Sequence, residues 1–113
     1  MRRPNNMTKV KLVKFKFKPG QKKIWLDWTK EVIRRKDEAI ATLGNEGVHS
    51  ESCFISEDGE YLYYFMEAAD LEKAQKAVKE NPFPIDAEHR KARETSLDFV
   101  AKLECLFHLN GKD

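Results

Sequence analysis

Residues 61–68 read YLYYFMEA, with a bulky apolar or aromatic side chain at every position from Tyr61 to Met66. Aromatic density of this kind favours the extended state, and an extended chain points successive side chains to opposite faces. Such a strand cannot bury its aromatics against one core; it needs a covering layer on each side. A chain of 113 residues is one domain's worth. One layer then comes from the chain's own helices, and the second has to come from elsewhere.

The other elements follow from their periods. KVKLVKFKFK, Lys9 to Lys18, alternates apolar residues with lysine from Val13 onward. This is a strand with Val13, Phe15 and Phe17 on its buried side and Leu12, Lys14 and Lys16 on the other. Pro19-Gly20 closes it. From Gln21 to Gly47, Trp25, Trp28, Val32, Ala39 and Leu43 recur at helical spacing, with Ile33 and Ile40 beside them. That predicts one helix of about six turns, ended by Gly44 or Gly47. Residues 48–68 form a β-hairpin with Asp58-Gly59 at the turn. Two registers fit. A two-residue turn pairs Glu57 with Glu60; a three-residue turn with a glycine bulge pairs Ser56 with Glu60. The second is preferred, because it sends Phe54, Leu62, Tyr64 and Met66 to one face. His49, Glu51, Cys53, Ile55, Tyr61, Tyr63, Phe65 and Glu67 take the other. A one-residue slip would exchange the faces.

DLEKAQKAVKE is a short helix capped by Asp70, with Leu71, Ala74 and Val78 inward. The prolines of NPFP, Pro82 and Pro84, break it. DAEHRKARETSLDFV restarts a helix with Asp86 as N-cap. KLECLFHL is the last strand, with Leu103, Cys105, Phe107 and Leu109 on one side and Lys102, Glu104, Leu106 and His108 on the other. The order β-α-β-β-α-β is that of an α+β, ferredoxin-like fold. Its four-stranded, antiparallel-type sheet has order 4-1-3-2, with right-handed crossovers and the helices on one face. Residues 9–110 make the domain, residues 1–8 a disordered tail, and Met7 is an alternative start.

Composition excludes several function classes. The 21 basic and 19 acidic residues are well mixed and leave a net charge of +2, unlike a nucleic-acid binder with its basic face. No apolar run approaches the roughly 20 residues needed to cross a bilayer, and the start has no secretory signal. Cys53 and Cys105 lack CxxC spacing and read as small buried strand residues of a cytoplasmic, reducing setting.

The uncovered sheet face carries Leu12, Ile55, Tyr61, Tyr63, Phe65 and Leu106, too much apolar surface for water. It also receives Lys14, Lys16, His49, Glu51, Glu67, Glu104 and His108. A second copy stacking sheet on sheet would cover the aromatics and enclose the charges. The expectation is therefore a homodimer with a small polar or anionic molecule held between the sheets. Lys14, Lys16, Glu51, Tyr63, Glu67, Glu104 and His108 are the ligand-binding candidates, unless the charges simply pair with one another. His49, His108 and Glu104 are candidates for acid–base catalysis. No metal site is expected, since ligand spacings such as HxH or HxxxH are missing, and no cofactor is called for. His89 reads as a hydrogen-bonded structural histidine, and Trp25 and Trp28 as core. The charges of RRKDE, Arg34 to Glu38, read as a solvated helix face with local ion pairs.

FKFKPG, the Trp-rich helix, FISEDGEYLYYFMEA, NPFPIDAEHR and ECLFH together resemble a family of short uncharacterised bacterial proteins related to the dimeric α+β barrels. The resemblance spans roughly residues 9–109. It implies the ferredoxin-like subunit and the dimer, and transfers no functional residue. The wider superfamily includes cofactor-free monooxygenases, haem-binding enzymes, small isomerases and proteins without known chemistry. Three readings follow: a binding module, a small cofactor-free enzyme using Glu, His and Tyr, or a purely structural dimer.

Overall fold

A computed structural model describes residues 9–80 and 83–111, apart from the Val78 side chain. The expected tail at residues 1–8, the inward Val78 and the break at Pro82 lie outside the described residues. The elements are β1 (Lys9–Phe17), α1 (Lys22–Arg34), α2 (Lys36–Glu46), β2 (Val48–Ile55), β3 (Tyr61–Ala68), α3 (Leu71–Glu80), α4 (Pro84–Ser96) and β4 (Leu97–Leu103). One antiparallel sheet has the order β2-β3-β1-β4, which is the expected 4-1-3-2 read from its other edge. β1 contributes Val13 and Phe17 to the core, as alternation requires. They join a layer with Leu62, Trp25, Trp28, Ile85 and Leu97. A second buried group, Val48, Ala68 and Ala74, lies under α2 and α3.

Several expectations are corrected. The single long helix is two helices, α1 and α2, meeting at Arg35 (φ −103°, ψ 38°). No Gly or Pro marks the break. The two halves bury different residues: α1 packs Trp25 and Trp28 and faces α4, whereas α2 buries Thr42 and Glu46 and faces α3 and β2. The Arg35 guanidinium fixes the junction. It meets Glu38 at 2.8 Å, Glu31 at 3.6 Å and, across on α4, Glu88 at 2.7 Å. α2 ends at Gly47, whose φ of +73° suits glycine.

The preferred glycine-bulge register does not occur; the pairing follows the alternative register, that of the two-residue turn. Ile55 pairs with Leu62, and the Ser56 N–H donates to the Tyr61 carbonyl at 2.8 Å. The loop is thus residues 57–60. The Asp58 carboxylate shapes it, accepting the Ser56 hydroxyl at 2.6 Å and the Glu60 N–H at 2.9 Å. This register places Cys53 opposite Tyr64 and Glu51 opposite Met66, on the helix side. Phe54 lies opposite Tyr63 and Ser52 opposite Phe65, on the open side. The expected partition of β2 is inverted.

α4 starts at Pro84, not Asp86. Phe83 is its N-cap residue, and the Asp86 carboxylate reaches back one turn to accept the Phe83 N–H at 2.8 Å. The helix also ends earlier, at Ser96. There the Thr95 and Ser96 hydroxyls bond back to the carbonyls of Lys91 and Ala92, and the Lys18 N–H takes the Ser96 carbonyl at 2.8 Å. LDFV, expected as helix, opens β4, which runs from 97 to 103 rather than from 102 to 109. Leu97 and Phe99 pair with Phe17 and Phe15, so β1 supplies the ladder that overrides helical propensity. Glu104 to Asn110 lie beyond the strand, and Leu106, Phe107 and Leu109 are exposed. Both cysteines are free and exposed rather than buried: Cys53 sits on the edge strand β2 and Cys105 past the end of β4.

Leu62 and Leu106 test the assignment of core and surface. Leu62→Ala should cost about 2–5 kcal/mol in urea unfolding, as expected for a fully buried leucine. Leu106→Ala should stay within about 0.5 kcal/mol of the parent. Equal effects would contradict the placement of the sheet.

Candidate functional site

The open face of the sheet brings some of the expected residues together and separates others. Lys14 lies opposite Tyr63, and its Nζ sits 4.1 Å from the centre of the Tyr61 ring and 5.9 Å from that of Tyr63. This is a cation–π arrangement. Lys16 is exposed on the same face, between Tyr61 and Asp98. Leu12, Ser52, Phe54, Tyr63 and Phe65 surround a shallow depression of about 470 Å³. Further along β3, His108 Nε2 lies 3.0 Å from Glu67 Oε2, and the Ser50 hydroxyl donates to Glu67 Oε1 at 3.3 Å. Glu67 and His108 therefore meet, about 13 Å along the strand from Tyr63 by the rise per residue. Five expected members are elsewhere. Glu51 and Ile55 point to the helix side. Glu104 is exposed past the end of β4. His49 is exposed at the register shift between Val48 and Ser50. Leu106 is likewise not part of the sheet.

Between helices and sheet lies a cluster that the sequence reading did not assemble. Trp28 Nε1–H donates to His89 Nδ1 at 2.9 Å. The imidazole is thus neutral and carries its proton on Nε2. Its ring packs against Trp25 and Tyr64, with centres 5.5 and 5.6 Å away. Burial, with Arg93 nearby, pulls the His89 pKa down to about 4. The Tyr64 hydroxyl donates to Glu51 Oε1 at 2.5 Å. Burial raises the Glu51 carboxyl above the usual range despite that bond, and it raises Tyr64 as well.

The acidic end of this cluster rests on Thr42. Its hydroxyl lies 2.7 and 2.8 Å from the two Asp86 oxygens and 3.3 Å from Glu46 Oε1. One hydroxyl has one proton to give. If it goes to Asp86, Glu46 must be the donor to the Thr42 oxygen, and so must be protonated. Burial first, then the charges of Asp86 and Glu51, push the Glu46 pKa up to about 7, in agreement. Among the described residues, no group of three or more His, Cys, Asp or Glu is placed to hold a metal ion.

Residues 8–111 match the family described as "Family of unknown function (DUF6176)". The chain belongs to this family. A search of functionally curated proteins returns no match. Among solved structures, the DUF6176 chain is similar to a Bacteroides thetaiotaomicron protein provisionally described as an antibiotic biosynthesis monooxygenase. The TM-score is 0.66 at 12% identity, covering 95% of each chain. It is also similar to Rv0793 of Mycobacterium tuberculosis, with a TM-score of 0.60 at 14% identity, covering 92% of this chain and 100% of the other. A third is a dimeric ferredoxin-like protein from an uncultured marine organism. Its TM-score is 0.58 at 10% identity, covering 95% and 96%. At these identities the likeness establishes the ferredoxin-like fold. No helix of the described chain is long and apolar enough to cross a membrane.

The inner titratable groups of this DUF6176 chain set opposite pH dependences. His89 is depressed from 6.5 to about 4, so its contribution to stability is complete above pH 6.5 and is lost as pH falls through about 4. Glu46 is raised from 4.5 to about 7, so its contribution is complete below pH 4.5 and is lost as pH rises through about 7. Glu46→Gln mimics the protonated form. Its stability relative to the parent should rise between pH 5 and pH 8 by on the order of 1 kcal/mol. A pH-independent difference in urea midpoints would show that Glu46 is not held protonated.

Proposed function

We propose that the protein is a homodimer of the α+β barrel type whose open sheet faces stack on each other and hold a small polar or anionic molecule between them. The observation that carries this reading is the depression lined by Leu12, Phe54, Tyr63 and Phe65, bordered by Lys14. No helix among the described residues covers that face. Phe54 is 56% exposed, on a sheet where apolar surface of this extent calls for a partner. The similarity to a dimeric ferredoxin-like protein supports the same arrangement. Two facing depressions would make one enclosed chamber, and a Lys14 from each protomer would supply its positive charge. Sedimentation equilibrium should give twice 13.2 kDa at micromolar concentration. Tyr63→Asp, which buries a charge among apolar groups, should weaken association by about tenfold or more, for each 1.4 kcal/mol lost. A monomeric parent would refute the reading.

A second reading is a small cofactor-free enzyme. It is favoured by the Tyr64–Glu51 pair and the neutral His89 inside the helix–sheet layer, and by a neighbour provisionally described as a monooxygenase. A carboxyl with a raised pKa suits proton abstraction near neutrality. Deuterium uptake at the acidic carbon of 1,3-dicarbonyl compounds, followed by NMR, should then depend on Glu51. Uptake no faster than in buffer, or unchanged by Glu51→Gln, would remove this reading.

A further inference from the structure

β1 carries a lysine where its pattern calls for an apolar residue. Lys11 shares the helix-facing side with Val13, Phe15 and Phe17 and lies opposite Met66 of β3. The residue is half-buried, and among the described residues no carboxylate forms an ion pair with it within 4 Å. Burial, and then the charges of Lys102 and Arg93, push its pKa down; Glu51 opposes this more weakly. A half-buried cation is normally paired. This one instead shares its surroundings with two more cations.

The other two arrive by separate routes. Arg93 lies on α4, one turn beyond His89. Lys102 is brought inward by a β-bulge. Phe15 pairs with Phe99 but Lys14 with Ala101, so Val100 is the extra residue. Beyond it the alternation is reset, and Lys102 falls opposite Val13 on the helix side. Neither Arg93 nor Lys102 has an ion-pair partner within 4 Å among the described residues. Together with Gln75 of α3, the three cations surround a cleft of about 420 Å³ whose floor is Val13, Phe15 and Phe99. Phe15 and Phe99 meet edge to face, with ring centres 6.5 Å apart, and Phe99 remains 65% exposed. An aromatic surface left bare under three unpaired cations is complementary to a molecule that is apolar at one end and anionic at the other. The volume is within the range of small-molecule sites.

We propose that this cleft is a binding site for aromatic dianions: a flat ring on Phe15 and Phe99, and a doubly charged head, phosphate ester or dicarboxylate, between Lys11, Arg93 and Lys102. Arginine supplies a planar fork for such a head and the lysines supply point charges. The site is on the side of the sheet opposite Lys14 and Tyr63, and so is separate from the chamber between sheets. Lys11 is held unpaired at a cost to folding that the ligand offsets.

Phenyl phosphate is the first probe, with phthalate, inorganic phosphate and benzyl alcohol as comparisons, titrated calorimetrically into the full chain. Phenyl phosphate and phthalate should bind saturably, and inorganic phosphate and benzyl alcohol at least about tenfold more weakly. The double replacement Arg93→Gln with Lys102→Gln, on exposed side chains, should keep the far-UV circular dichroism and weaken phenyl phosphate by about tenfold or more, as for lost charge-assisted bonds. Lys11→Met should weaken it too while raising the urea midpoint, because an unpaired cation is replaced by an apolar group. Lys14→Met should leave it unchanged, whether or not the chain dimerises. The proposal falls if phenyl phosphate does not bind, if inorganic phosphate binds as tightly, or if Lys14→Met abolishes binding while the Arg93/Lys102 variant retains it.

Discussion

The constraint on which the structure depends is the position of β3 in the interior of the sheet. It is hydrogen-bonded on both edges, to β2 and β1, so its side chains have only the two faces to go to. Leu62, Tyr64, Met66 and Ala68 go to the helices, and Tyr61, Tyr63, Phe65 and Glu67 to the open side. Each face is then defined by what has to accompany those residues. On the helix side, Tyr64 needs an acceptor for its hydroxyl and finds Glu51. On the open side, Tyr61 offers a ring face and Lys14 folds onto it. The polar chemistry on both sides is a response to aromatics that alternation put there.

The fold was legible because its signals are periodic. Alternation through Val13, Phe15 and Phe17 oriented β1 correctly, and the helical recurrence of Trp25 and Trp28 identified the core. What stayed hidden was decided by single residues without a period. The Asp58 carboxylate, bonded to Ser56 and Glu60, shapes a loop of residues 57–60 in the less favoured of the two offered registers, which turns Glu51 inward, away from the position preferred for it. The bulge at Val100 turns Lys102 inward in the same way. A charged residue's face is the least redundant information in a strand, because no neighbouring hydrophobic pattern repeats it. The break at Arg35 was hidden for a different reason: it rests on Glu88, 53 positions further along the chain, and local spacing cannot report it.

The layer between helices and sheet is unusually polar for so small a chain. Glu46, Thr42, Asp86, Glu51, Tyr64 and His89 occupy one continuous region, and their hydrogen bonds assign their protons. Thr42 has a single proton for three carboxylate oxygens, and Trp28 occupies the imidazole nitrogen that would otherwise accept a second proton. Buried networks of this kind are costly unless complete. Here completeness requires a neutral Glu46 and a neutral His89. Glu51 and Asp86 still act across the region as charges, on Lys11, Glu46 and His89.

α4 passes into β4 without a loop, since the helix ends at Ser96 and the strand begins at Leu97. A helix turns about 100° per residue and a strand about 180°, and at this joint the two rotations are geared to each other with no slack between them. Arg93, three residues before the joint, and Lys102, beyond the bulge, hold their mutual spacing through backbone geometry alone, as the two arms of a caliper do. Ser96, fully buried and bonded through both its hydroxyl and its carbonyl, is the pivot. In related chains, the length of this joint would be a stricter gauge of how far apart those two charges sit than the identity of either side chain.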